Sequence, residues 1–321
     1  DSHWDFDRVR QDSRDEWNQW LGRVAVRGGE EKTRVKFYTD LWHTLLGRHK
    51  ISDVSGDYPN YMGGDIIQAV AKDASGNPRH QMYNSDALWL TMWNLNILWG
   101  LGWPEMLDEF SASLVQYSKV GGKLPRGPSG GGYTDIMKGC PATSMITATW
   151  QKDLLTKVSQ EQAYEAMKIS HPLQIDRELN KTKSVGIAVQ GSFEYWALAQ
   201  MARELGYDAD ADDFARMAHK WKPFLDPELK LLNGKWVEAN NWQGTFGVSH
   251  DIKGLAALMG GNDVLADMLN QAFKSEVDSD FVFTYGAGKV SYANQPGCSN
   301  AHVFNHVGYP WLSQYWVRRV S

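Results

Sequence analysis

At 321 residues the chain is long enough for one large hydrophobic core or two modest ones. Its net charge of −5 and pI near 6.0 exclude the basic face that nucleic-acid binding requires, and both signs of charge are mixed along the chain rather than gathered into a tail. Two cysteines, Cys140 and Cys298, make no disulfide framework and read as small half-buried thiols.

The predicted elements are mostly helices. Trp17, Trp20 and Leu21 follow i, i+3, i+4 spacing up to Gly22. Val35, Tyr38, Leu41, Trp42, Leu45 and Leu46 form a second stripe, begun near Thr33 and ended at Gly47. Ser85 and Asp86 read as the cap and first turn of a Trp-rich helix that ends near Gly100. The stretch from Ala87 to Trp103 is the most apolar in the chain, but Asn94, Asn96, Gly100 and Gly102 make it too short and too polar to span a bilayer, so it reads as a buried helix. Pro104 opens the next helix through Leu107, Phe110, Leu114 and Tyr117, before Gly121-Gly122. Phe193 to Gly206, a stripe of Phe214, Met217 and Trp221, a helix capped by Ser249 and closed by Gly260-Gly261, Leu265 to Phe273, and a last helix opened by Pro310 complete the series. Strand signals are few; Phe281–Tyr285 and Lys289–Tyr292, around Gly286-Ala-Gly288, predict a minor hairpin. No strict repeat is present. Helices following one another in pairs, with long polar loops between some of them, fit an all-α ring of helix pairs, an α/α toroid, although periodicity does not separate a toroid from a bundle. The first residues, Asp1-Ser-His-Trp4, do not read as a signal peptide.

The chemistry is expected in the loops. Fifteen Trp, 13 Tyr and 11 Phe are an unusual number; some build the core, but aromatic rings beside amides and carboxyls in loops also suit the C–H faces and hydroxyls of sugars. Four loops carry that mixture: 57–65, 121–135, 236–251 and 292–302. The second is Gly-rich but lacks the Gly-Lys-Ser/Thr ending of a nucleotide loop; its Arg126 could meet an anion, or the loop is a plain lid or wall. Glu238, between Trp236, Val237 and Trp242, is the candidate general acid, its carboxyl held protonated by desolvation; the alternative is a solvated Glu at a helix start. Asn240, Trp242 and Gln243 would position a sugar or pack the loop. Asn294, Gln295, Ser299 and Asn300 offer oxygens of the kind a hard cation accepts. His302 and His306 lie at i, i+4 without the acidic partner of a metalloprotease helix. Asp251 reads as a helix N-terminal charge.

Taken together these segments resemble glycoside hydrolase family 92, the calcium-dependent exo-α-mannosidases. The matching residues are Lys36-Phe-Tyr-Thr-Asp-Leu-Trp-His43, Gly121-Gly-Lys-Leu-Pro125, Glu238-Ala-Asn-Asn-Trp-Gln243, Ser249-His-Asp251, Leu258-Met-Gly-Gly261, Asn294 to His302 and Gly308 to Arg319, in the family's order over almost the entire chain. The resemblance implies an (α/α)6 toroid, usually preceded by a β-sandwich that is absent from this chain. It implies inverting removal of terminal α-linked mannose from glycans, assisted by Ca2+, in a secreted or periplasmic protein without a membrane span. It makes Glu238 the general acid and puts Asn294 and Gln295 at or beside the calcium. Asp86, with Trp89, would hold the terminal sugar, and His302 joins Asn240, Trp242 and Gln243 as a substrate-binding candidate.

The sequence also departs from the family. Residues 1–321 read as one catalytic domain that stops before the family's loop with the general-base Asp, with shortened seams near 171–184 and 232–236. Gln295 stands where many relatives have Glu, Asn241 replaces a small residue and Gly244 a common aromatic. Two rival readings follow. One is a catalytically inactive sugar-binding homologue; the other is an α/α-toroid glycosidase or lyase acting on another sugar. A mannose phosphodiester remains open through Arg126.

Overall fold

The structure is a computed structural model that describes residues 5–46, 48–64, 66–282 and 286–321. Helices dominate it. Helix α1 (Phe6–Leu21) is capped by the Asp5 carboxylate, which accepts from the Asp7 and Arg8 amides, and α2 (Glu31–Leu45) packs beside it. A short antiparallel ladder, β1 (Asp57–Pro59) with β2 (Ile67–Ala69), fills the connection to the Trp-rich segment. That segment is helical from Trp89, runs through a π-helical turn at Thr91–Leu95, and continues as α3 (Asn96–Gly102). The expected cap at Ser85 and Asp86 is therefore a correction: both residues precede the helix and neither caps it. Asp86 is exposed, and its main-chain oxygen instead accepts a hydrogen bond from the Thr134 hydroxyl, 2.9 Å away.

Helix α4 (Pro104–Gly121) begins with Pro at its first turn and ends on Gly122 in the left-handed region, φ 71°. A two-residue ladder, β3 (Pro128–Ser129) with β4 (Gly132–Tyr133), sits in the Gly-rich loop that follows. Then come α5 (Ala142–Gln151), α6 (Gln160–His171), a π-helical turn at Pro172–Asp176, α7 (Arg177–Thr182), α8 (Val185–Glu204) and α9 (Asp208–Met217). A third small ladder, β5 (Leu225–Asp226) with β6 (Leu231–Leu232), precedes α10 (Asn241–Thr245), α11 (Ile252–Met259), α12 (Asn262–Ser275), α13 (Val303–His306) and α14 (Pro310–Val320). The cap of α11 is Asp251, not Ser249: its carboxylate accepts from the Gly254 amide at 3.0 Å, and Gly254 has no Cβ because one would lie 2.3 Å from that carboxylate. Part of the expected hairpin, residues 283–285, lies outside the described residues; the flanking 286–292 form turns and bends, not a strand.

Helix α8 organises the interior. Fourteen of its twenty residues are buried, so it is covered on all sides rather than amphipathic. Val185 and Val189 at its start belong to a core cluster with Phe246, Leu255, Phe273 and Trp316. Tyr195, Leu198 and Met201 further along belong to a second cluster with Trp99, Phe110 and Tyr164. Gly191 lets the π-helical turn approach, since a Cβ there would meet the Ile175 side chain at 2.4 Å. The helix-rich architecture is the α/α toroid, with α8 spanning its two core clusters.

The Gly-rich loop is neither a free lid nor an anion site. Arg126 is buried. Its Nε donates to the Gly139 carbonyl (2.8 Å) and Gln174 Oε1 (3.1 Å), Nη1 to the Met137 carbonyl (3.1 Å), and Nη2 to the Gln174 carbonyl (3.0 Å) and Glu178 Oε2 (2.9 Å). The guanidinium is thus consumed in pinning residues 126–139 to the 172–178 segment. Replacing Arg126 by Met leaves several buried carbonyls without a donor and leaves the half-buried Glu178 carboxylate with Lys138 as its remaining partner. It is expected to cost about 3–5 kcal/mol, read from urea unfolding midpoints; a loss below about 1 kcal/mol would show that the loop is held by other contacts.

Candidate active site

The start of α8 forms one wall of a cavity. Gly186, Val189, Gln190 and Phe193 face it; Trp89, Met92 and Trp93 face it from the Trp-rich helix, Trp236 to Ala239 from the loop before α10, and Asn294 and Pro296 from the loop before α13. The walls are largely aromatic. Trp89 and Trp93 meet edge to face, with ring centroids 5.3 Å apart. Trp236 lies flat over Gly244, where any Cβ would come within 2.3 Å of its ring, and its Nε1 donates to Asn241 Oδ1 at 3.0 Å. Gly244 therefore admits a Trp wall, and Asn241 fixes that wall. These are physical reasons for two residues that the sequence marks only as departures from the family.

Glu238 is the one carboxylate among the described residues that line this cavity. Its backbone is left-handed, φ 54°, an arrangement a non-Gly residue adopts at a cost and only where its surroundings impose it. Two asparagines impose it. Asn294 Nδ2 donates to the Glu238 carbonyl at 3.0 Å. Asn240 caps α10 through Oδ1 to the Gln243 amide (3.1 Å), while its Nδ2 donates to the Gly286 and Gly288 carbonyls, 2.8 Å each. The two loops are thus stitched together from both sides of Glu238. The expectation of a desolvated carboxyl is not met: the Glu238 side chain is exposed, because Trp236 lies over Gly244 instead of over the carboxylate and Trp242 turns away.

The other predicted residues divide. Trp89, Glu238 and Asn294 share the cavity, and Gln295 adjoins it through Oε1, which accepts from Trp89 Nε1 at 3.2 Å. Asn240 and Gln243 stand behind it as braces; Gln243 Nε2 donates to the Ala287 and Gly288 carbonyls. Trp242 is no cavity wall; Lys289 Nζ sits 4.9 Å above its ring. Asp86 and His302 are both exposed and outside the lining. Asp86 is nominated with Trp89 by the family resemblance but lies ahead of the helix that begins at Trp89, and His302 points outward from the turn that buries its neighbours Ala301 and Val303.

Two interior groups escaped the sequence reading. His171 is fully buried, its pKa lowered to about 3 by desolvation, and it shares a 2.8 Å hydrogen bond with Thr143. Glu194, one turn after Gln190 on α8, is fully buried; burial pushes its carboxyl up to about 8, although the Cys140 amide (2.7 Å) and Gln190 Nε2 (2.9 Å) donate to its two oxygens. The only signal for it is a Glu inside an otherwise apolar helix, at i+4 from a Gln.

The glycosyl hydrolase family 92 catalytic domain matches the chain over residues 1–321. The chain belongs to that family. The backbone agrees: a family 92 α-mannosidase from Bacteroides thetaiotaomicron superposes with a TM-score of 0.84 at 22% identity, covering 99% of this chain and 45% of that one. A family 92 inverting mannosidase from the same organism gives 0.81 at 22%, covering 99% and 49%. The first of these has also been solved with mannoimidazole; that complex gives 0.83 at 21%, covering 99% and 46%. The chain thus spans about half the length of these solved relatives. Among proteins of curated function none matches in sequence. Among the described residues of this family 92 domain no helix is long and apolar enough to cross a membrane, and no group of three or more His, Cys, Asp or Glu is placed to hold a metal.

Glu194 makes a stability prediction. Between the ordinary carboxylate range and about pH 8 the folded domain keeps a proton that the unfolded chain has released, so stability falls as pH rises through that window. Glu194→Gln removes this contribution. The melting temperature of the variant should decline less between pH 5 and pH 8 than that of the wild type; parallel curves would place Glu194 outside any such linkage.

Proposed function

We propose that this domain belongs to an inverting glycosidase that removes terminal α-linked mannose from glycans, with Glu238 as general acid. One observation carries the reading: at a cavity walled by Trp89, Trp93 and Trp236, the one carboxylate among the described lining residues is fixed in a strained left-handed backbone by two asparagines. Aromatic walls suit the apolar face of a sugar ring, and the carboxyl suits protonation of the departing glycosidic oxygen. A bound glycan would cover the exposed Glu238 side chain and exclude water from it.

Inversion needs a second carboxylate, on the far side of the sugar by roughly 6.5–9.5 Å, to activate a water. None of the described cavity residues except Glu238 is a carboxylate. In this proposal the base comes from elsewhere in the longer protein, and a role outside the cytoplasm follows from the family resemblance.

Calcium assistance belongs to the same proposal. Asn294 Oδ1 already accepts from the Gln295 amide at 2.9 Å and Gln295 Oε1 from Trp89, but an amide oxygen has two lone pairs, so each keeps one for a hard cation. Both donors are neutral and too few for a closed cage, so the fit is to an ion that completes its shell with water and sugar hydroxyls. Bound there, the ion would hold and orient those hydroxyls.

A second reading has one observation in its favour. With Glu238 as the lone cavity carboxylate among the described residues, the domain by itself would bind an α-mannoside without hydrolysing it. Calorimetry with methyl α-mannoside beside a turnover assay separates the two.

Glu238→Gln is expected to lose about 10²–10⁴-fold in kcat on an α-mannoside with a poor leaving group, and far less on an activated aryl α-mannoside whose leaving group needs no proton. Equal rates for the variant and wild type on the poor leaving group would remove Glu238 from the chemistry. Chelation is expected to abolish most activity, with recovery on adding calcium; indifference to chelator would remove the ion from the proposal.

A further inference from the structure

Gln190 lies at the base of the cavity, 5% exposed, with its amide orientation dictated from behind. Its Nε2 donates to Glu194 Oε1 at 2.9 Å and to the Lys138 carbonyl at 3.0 Å. The Lys138 carbonyl can only accept, so in the observed orientation both amide hydrogens are engaged, and the flipped amide would set Gln190 Oε1 against that carbonyl oxygen. The remaining Oε1 accepts no hydrogen bond from any described residue, yet it is not among the polar atoms sealed from solvent without a partner. An acceptor is therefore presented to the cavity. Gly139 keeps the arrangement possible: it has φ 69°, and a Cβ there would fall 2.6 Å from Gln190 Nε2 and 2.8 Å from Glu194 Oε1.

We propose that Gln190 is a substrate-binding residue whose Oε1 accepts a hydrogen bond from one ring hydroxyl of the sugar, and that Glu194 is the positioning residue that fixes which end of the amide faces the ligand. The proposal rests on the glycosidase reading above and adds a hydroxyl-specific contact to it. The ligand chemistry is a donor group beside an apolar ring face: the base of the cavity offers an oxygen acceptor, and Met92, Trp93, Val189 and Phe193 around it offer none from their side chains. Carboxylate and amide sit at i, i+4 on a helix buried all round, so neither can swing away without opening the core.

The test is a double-mutant cycle between the protein and the substrate, using the longer protein that carries this domain and aryl α-mannosides from which one hydroxyl at a time has been removed. A neutral hydrogen bond of this kind is worth up to about tenfold in kcat/KM. Wild type should lose about that factor on one deoxygenated substrate. Gln190→Met should lose a similar factor on the parent substrate and then be indifferent to removal of that same hydroxyl, while still sensing the others. Glu194→Gln, with its folding verified by circular dichroism, should blur discrimination at the same hydroxyl, because an amide at 194 lets the Gln190 amide turn over. A mere packing role predicts that the Gln190→Met penalty is the same on every substrate, and that result overturns the proposal. A shift in melting temperature with unaltered discrimination in Glu194→Gln overturns the positioning role. If Gln190→Met does not fold, Gln190→Asn withdraws the oxygen by one methylene and is expected to give the same pattern. Wild type that neither binds nor turns over any α-mannoside refutes the glycosidase reading, and this inference with it; turnover with unchanged discrimination in the Gln190 variants refutes the inference alone.

Discussion

The site depends on two asparagine side chains that cross between loops more than forty residues apart in sequence. Asn294 reaches back to the carbonyl of Glu238, and Asn240 reaches forward to the carbonyls of Gly286 and Gly288. Each satisfies main-chain groups that a long loop leaves open, and together they hold Glu238 in a backbone region that costs on the order of 1–2 kcal/mol for a residue with a Cβ. The strain persists because both ends are tied to packed structure. Asn240 is also the cap of α10, and Asn294 opens the turn that leads into the core through Ala301, Val303 and Phe304.

Around that clasp, the cavity takes its shape from residues that are absent as much as from those present. Gly244 leaves the surface on which Trp236 lies, and Asn241 fixes the indole by its N–H. Gly139 leaves room for the Gln190–Glu194 pair. The result is rigid aromatic walls with a few polar groups whose orientations are set from behind, the arrangement expected where a flexible, hydroxyl-rich ligand must be held in one pose. The exposure of Glu238 fits this division: the backbone is fixed by its neighbours while the side chain stays open to the cavity.

The helical order was legible in the sequence because period and punctuation agree. Pro104, Gly122, Gly260 and Pro310 stand where the structure starts and stops helices. The Trp-rich helix was misplaced at its start because Ser85 and Asp86 have the chemistry of a cap, while their main chains are recruited by residues 126–134 of the Gly-rich loop, a long-range contact with no local signature. The same holds for Arg126, whose guanidinium makes five hydrogen bonds to segments up to fifty-two residues away. Of the residues at or beside the cavity, Glu238, Asn294 and Gln295 stood out by residue chemistry as well as by motif resemblance, and Trp89 by resemblance alone. Trp242, Asp86 and His302 were not separable from their neighbours, because facing toward or away from a cavity depends on one backbone turn. Gln190 and Glu194 were invisible: in sequence they interrupt an apolar helix, and only burial reveals what they do.

The central claim is that a sugar held against these tryptophans is cleaved with Glu238 protonating its leaving oxygen while water attacks from the opposite face. Proton NMR of the first-formed anomer tests it most directly, on the longer protein and an aryl α-mannoside. The account predicts β-mannose as the initial product, converting slowly to the equilibrium mixture. Initial release of α-mannose would mean a covalent, retaining path, and the proposed division of labour around Glu238 would be wrong.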